Sequence, residues 1–167
     1  MLPMLFEAAL PSPPFAVWLG LSAGLGLVLA AIARVDLRSL RIPDRLSLPL
    51  LASGLVLGFV CQLVPGRMPG DHLIGALAGY LLFAAIGAGF YRWRQVEGLG
   101  LGDAKLFAAS GAWLGWQGLP PVLLIAALGG LGQAMLRAAP QRHRPLAFGP
   151  WIAVGFFALW LWLTWRV

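Results

Sequence analysis

Apolar stretches of roughly bilayer length recur along the whole chain, separated by short polar, proline or glycine breaks. Residues 1–14 form a proline-broken segment in which Pro11, Pro13 and Pro14 oppose helix. From residue 15 to 167 the pattern predicts a single membrane domain of about six transmembrane helices. The spans are Phe15–Ala33, Leu46–Val64, His72–Tyr91, a short one over Asp103–Trp116, Pro121–Leu136 and Phe148–Trp165. Pro43 favours a helix restart near Asp44, Pro65-Gly66 turns the chain, and Gln117–Pro120 turns it again. Glycines four apart predict faces for close helix packing: Gly20 and Gly24, Gly75 and Gly79, Gly111 and Gly115. Trp160, Trp162 and Trp165 read as an interfacial aromatic belt at the last exit. No internal repeat is visible. The fold class is all-α, a polytopic membrane protein.

Composition agrees with that pattern. The chain is 60% hydrophobic and 11% charged, with a mean hydropathy of +0.83. A net charge of +6 would suggest nucleic acid in a soluble protein. Here the bases sit in short loops between spans, where they set topology instead, so no nucleic acid is expected as a partner. One side of the membrane collects Arg34, Arg38, Arg41, Arg45, Arg92, Arg94, Lys105, Arg137, Arg142 and Arg144; the other has Arg67 and Arg166. By the positive-inside rule the first side is cytoplasmic and both termini lie outside. The first span has no basic stretch before it and no convincing cleavage site, so it is expected to be retained. Cys61 is single, and the absence of any CxxC gives no zinc or disulfide framework.

Chemistry concentrates on few residues. The chain has six acids: Glu7, Asp36, Asp44, Asp71, Glu97 and Asp103. Asp71 reads as an N-cap on the outer side, and Glu7 falls in the N-terminal segment. Four acids share the cytoplasmic side, with Asp36 and Asp103 at span ends. Asp103 follows Gly98-Leu99-Gly100-Leu101-Gly102, whose alternate glycines allow another chain to approach closely. An acid opening an apolar span is costly and marks a functional site, although the same residue also reads as a helix N-cap. Two carboxylates brought within a few ångströms cannot both ionise cheaply, so they hold one proton between them. Such a pair can activate water and protonate a peptide carbonyl. The residues alone leave this open against a loop web of salt bridges. His72 and His143 fall on opposite sides, which excludes a shared metal, and no serine has a histidine at a telling spacing. The glycine stretch lacks the strand and the following acid of a dinucleotide site.

Three motifs then resemble those of prepilin peptidases, the type IV leader peptidases among the GxGD aspartic membrane proteases. Asp36, followed by Ile42-Pro43-Asp44 and Leu46-Ser47-Leu48-Pro49, resembles their first aspartate motif. Gly100-Leu101-Gly102-Asp103-Ala104-Lys105-Leu106 resembles the second, and Phe148-Gly149-Pro150 is similar to the segment opening their last span. The resemblance covers about residues 15–165, in order. It implies an endopeptidase that removes the leader from prepilins or pseudopilins, in the bacterial inner membrane, with its active site facing the cytoplasm. It implies Asp36 and Asp103 as the catalytic pair. Gly98, Gly100, Gly102, Asp44 and Lys105 would form the cleft, with Asp44 holding its loop. Long members carry an N-terminal region with paired CxxC motifs linked to methylation. That departure implies a peptidase-only short form, with no cofactor, S-adenosylmethionine or zinc. Partners are the prepilin and membrane lipid; the oligomeric state stays open. The competing reading is a small proton-coupled transporter using Asp36 and Asp103 as a relay. A third is a non-catalytic assembly subunit packed through its glycine faces.

Overall fold

The computed structural model describes residues 15–60, 67–94, 100–136 and 146–164. They fold into α1 (Phe15–Ser39), α2 (Asp44–Val60), α3 (Pro69–Arg94), α4 (Leu101–Leu114), α5 (Leu119–Leu136) and α6 (Gly149–Thr164), with one 3-10 turn at Trp116–Gly118. The chain is an all-α polytopic membrane protein. Ala16–Ser39, Pro69–Trp93 and Trp116–Leu136 are each long and apolar enough to cross a bilayer, and Gly149–Thr164 is a shorter apolar helix. The expected features at Pro65-Gly66, Cys61, His143 and Trp165 lie outside the described residues.

Prolines set several helix starts. Pro43 precedes α2, Pro69 opens α3, and Pro120, Pro121 and Pro150 fall in the first turns of α5 and α6. There the missing N–H has no helical partner to lose. This is why α5 begins at Leu119, ahead of the predicted Pro121. Asp71 lies three residues into α3 and reaches back, accepting the Met68 backbone N–H at 3.0 Å. It closes the cap from inside the helix and is not itself the N-cap residue.

α4 is the core of the molecule. From Leu106 to Gly115 every residue is buried, as expected of a helix apolar all round. α3 and α2 pack most extensively on it, and α6 joins α4 to α1 and α5. Gly75 and Gly111 bring the backbones of α3 and α4 into contact; a Cβ on either would overlap the other's carbonyl. Of the predicted small-residue faces this one is used, whereas Gly20 and Gly24 have nothing within 4 Å. Gly115 ends α4 with φ 76°. Trp160 is fully buried, donating its indole N–H to Ser22 at 2.9 Å and meeting Trp113 edge-on at 5.2 Å. It is a core residue, not part of a belt, because its partner on α1 satisfies the N–H inside the bundle. His72 is likewise buried, with Nδ1 2.9 Å from the Ala112 carbonyl.

Successive helices alternate in direction. One end of the bundle gathers the C-terminal ends of α1 and α3 with the N-terminal ends of α4 and α6. The other end joins the start of α3 to the turn after α4, where Asp71 accepts hydrogen bonds from Trp116 and Gln117.

Candidate active site

α1 does not stop at Ala33. It runs on through Arg34–Ser39, since arginines sustain a helix at a membrane surface while their heads stay in water. Leu25, Leu29, Ile32 and Asp36 are all buried, at spacings of four, three and four residues that trace one helix face. Asp36 therefore continues the core stripe of α1 and does not lie in a loop. Its residue exposure is 4%. Two backbone contacts hold it. The Asp36 carbonyl accepts the Leu40 N–H at 2.8 Å, ending the helix. Leu40 itself takes φ 54°, a left-handed conformation that costs a leucine roughly 1 kcal/mol or more. The Asp36 carboxylate accepts the Gly149 backbone N–H at 3.1 Å, across from the first turn of α6.

Asp103 lies three residues into α4, behind the N-cap Gly100. It is thus an acid of the first helical turn, where the helix dipole favours negative charge; the N-cap position belongs to glycine. Asp36 and Asp103 line the same cavity, with a volume of about 610 Å³. Its other walls are Leu40, Arg41 and Ile42 of the α1–α2 loop, Gly100–Ala104 of α4, and Phe83, Ala84, Gly87, Ala88 and Tyr91 on one face of α3. The two acids come from helices distant in sequence and line one cavity at one end of the bundle.

The cleft residues divide. Gly100 and Gly102 line the cavity, and Gly98 lies outside the described residues. Gly102 is within α4, so the second motif is not wholly a loop. A Cβ there would stand 2.9 Å from Ile42 Cβ, 3.2 Å from Ile42 N and 3.4 Å from its carbonyl oxygen. Its lack of a side chain lets the α1–α2 loop press onto α4. Gly100 has φ −73° and ψ 143°, open to any residue, and the nearest atom to a Cβ would be an Asp103 oxygen at 3.8 Å. Asp44 and Lys105 do not line the cavity; they pair with each other at 2.5 Å, tying the start of α2 to α4. Gly149 and Ile42 are site residues that spacing alone did not single out. Their only sequence signal was membership in the motifs quoted above.

Comparison with known proteins identifies the family. A family model described as the type IV leader peptidase family matches residues 23–135. The chain is 44% identical over 143 residues to a prepilin leader peptidase/N-methyltransferase of Aeromonas salmonicida, covering 83% of this chain and 46% of that protein. It is 44% identical over 133 residues to the Escherichia coli protein of the same name, covering 78% and 58%. The leader peptidase HopD of Salmonella typhimurium is 46% identical over 130 residues, 75% of this chain and 82% of that one. The chain thus spans about half the length of the first two relatives. No solved structure matches it.

Proposed function

The chain belongs to the type IV leader peptidase family, and from that premise we propose that it is an aspartic intramembrane endopeptidase that removes the leader from prepilins or pseudopilins. The single observation that carries the reading is that Asp36 and Asp103 line one cavity at one end of the bundle. Brought within a few ångströms of each other, the two carboxylates would hold one proton between them. The ionised member takes a proton from water as it attacks the scissile carbonyl, and the protonated member donates to the carbonyl oxygen. Collapse of the tetrahedral intermediate then breaks the C–N bond. The first carboxyl protonates the leaving amine while the second recovers its proton from the intermediate's hydroxyl, which regenerates the pair.

The substrate is a helix whose peptide bonds are hidden by their own hydrogen bonds, so it has to be locally unwound. Unpaired amides at membrane depth are expensive and need partners. Gly100 and Gly102 on one wall and Ala84, Gly87 and Ala88 on the other leave backbone within reach of an extended segment. The charge distribution supports a cytoplasmic location for this end in the bacterial inner membrane, with Arg34, Arg38, Arg41 and Arg45 beside it. Asp44, paired with Lys105, holds the α1–α2 loop and does not take part in the chemistry. The transporter alternative receives no support from the relatives. The test is incubation of the purified chain with a prepilin in liposomes. A single cut that releases the leader supports the reading. An intact prepilin, with proton uptake by the same vesicles, would favour the transporter instead.

A further inference from the structure

Asp36 is held from a part of the chain that no step of the chemistry above uses. The Gly149 N–H donates to Asp36 Oδ2 at 3.1 Å, and the contact is buried. Gly149 is the first residue of α6, so this N–H has no carbonyl to meet within its own helix. It is free to serve a carboxylate, and its position at a helix N-terminus adds the favourable end of the dipole. The absence of a side chain matters equally. A Cβ on Gly149 would stand 2.7 Å from Asp36 Oδ2, 3.1 Å from Asp36 Cγ and 3.0 Å from Ile42 Cδ1. The atoms in the way are the ends of side chains, so the protein can yield cheaply, but what yields is the carboxylate itself. The charged groups among the cavity walls are Asp36, Asp103 and Arg41, and none of them replaces this donor on Oδ2.

We propose that Gly149 is a positioning residue for Asp36: its N–H clamps Oδ2, and its missing side chain leaves room for the carboxylate, so that Oδ1 is the oxygen presented to the cavity. This rests on the peptidase reading of the pair. On it, α6 is part of the active site, and the Phe148-Gly149-Pro150 segment is required for turnover as well as for starting a helix.

Two substitutions separate the clamp from the fold. Gly149→Ala keeps the N–H and adds the methyl group. Alanine suits a helix better than glycine, so a glycine kept only for packing would show its loss in Tm, with kcat following. Replacing Gly149 by glycolic acid, through an ester at that bond, removes the N–H and also weakens the Phe148 carbonyl, which accepts the Trp151 and Ile152 N–H groups at 3.0 and 3.2 Å. The same ester at Trp151, which removes one of those helix bonds and leaves the Gly149 N–H in place, is the control. Each is measured for prepilin cleavage and thermal unfolding in detergent, beside Asp36→Asn. The expected result is a fall in kcat of about ten- to a hundredfold in both Gly149 variants, the scale of one charge-assisted hydrogen bond, with KM unchanged and only a small fall in Tm. Wild-type kcat in both, or kcat falling only in step with Tm and KM, would overturn the positioning role. Wild-type cleavage by Asp36→Asn would instead overturn the underlying peptidase assignment, whatever the Gly149 variants do.

Discussion

The contact between Gly102 and Ile42 allows a sharp contrast between two neighbouring glycines. In Gly102→Ala the new methyl would meet Ile42 Cβ at 2.9 Å and Ile42 N at 3.2 Å, against an optimum of about 3.5–4.0 Å for carbon. Ile42 has little room to retreat, being 8% exposed, and the atoms in the way are its Cβ and backbone rather than a flexible side-chain end. Relief has to come from lifting the α1–α2 loop off α4. Overpacking of this kind costs about 1–3 kcal/mol, from which alanine's helix preference returns about 0.5–1 kcal/mol, so the net loss of stability is about 1 kcal/mol. The loss of activity is larger, because the loop follows directly on Asp36, and a displacement of about 1 Å at reacting groups can cost about a hundredfold. Gly100→Ala meets no atom closer than 3.8 Å and needs no change of backbone angle. It weakens only the N-cap preference, by about 0.5 kcal/mol, and cleavage stays within about threefold. The assay is prepilin cleavage beside thermal unfolding of the same detergent preparations. Equal losses in the two variants, or full activity in Gly102→Ala, would refute the argument from packing.

Other outcomes follow from the same geometry. Lys105→Ala breaks a pair whose partners are 25% and 58% exposed; solvent screening limits the loss to about 0.5 kcal/mol, and cleavage should continue, so an inactive variant would move Lys105 into the chemistry. In a Cys61→Ser background, an impermeant thiol reagent on intact cells should label Met68→Cys, which is well exposed at the outer end, and miss Arg41→Cys. Labelling of Arg41→Cys from outside would invert the topology and place the acids on the wrong side for leader removal.

Much of the fold could be read from the sequence because bilayer-length apolar runs and prolines act locally. The restart at Asp44 and the ends of α4 and α6 came within two residues of expectation. By polarity alone α1 ends at Ala33, because its arginines look like a loop, although the stripe from Leu25 to Asp36 is present in the spacing. What the sequence could not convey is pairing between distant segments. The Gly149 N–H that meets Asp36 lies 113 residues away, and the carboxylate that claims Lys105 lies 61 residues away. Trp160 reads as an interfacial tryptophan until Ser22 and Trp113 are known to surround it. Gly102 reads as a cleft residue alone until Ile42 is seen against it, which makes it a packing residue of α4 as well.

The central claim is that Asp36 and Asp103 work as one unit, and removing either carboxylate alone tests it most directly. Asp36→Asn and Asp103→Asn change one atom each and keep the shape of the side chain. Prepilin cleavage by the two purified variants is measured, together with the double variant and thermal unfolding of all three. If the pair shares its proton, each single change destroys the unit, and the double change is no worse than either single one. The expected result is loss of cleavage in all three at a near-native unfolding temperature. A single variant that still removes the leader at close to the wild-type rate would contradict the account.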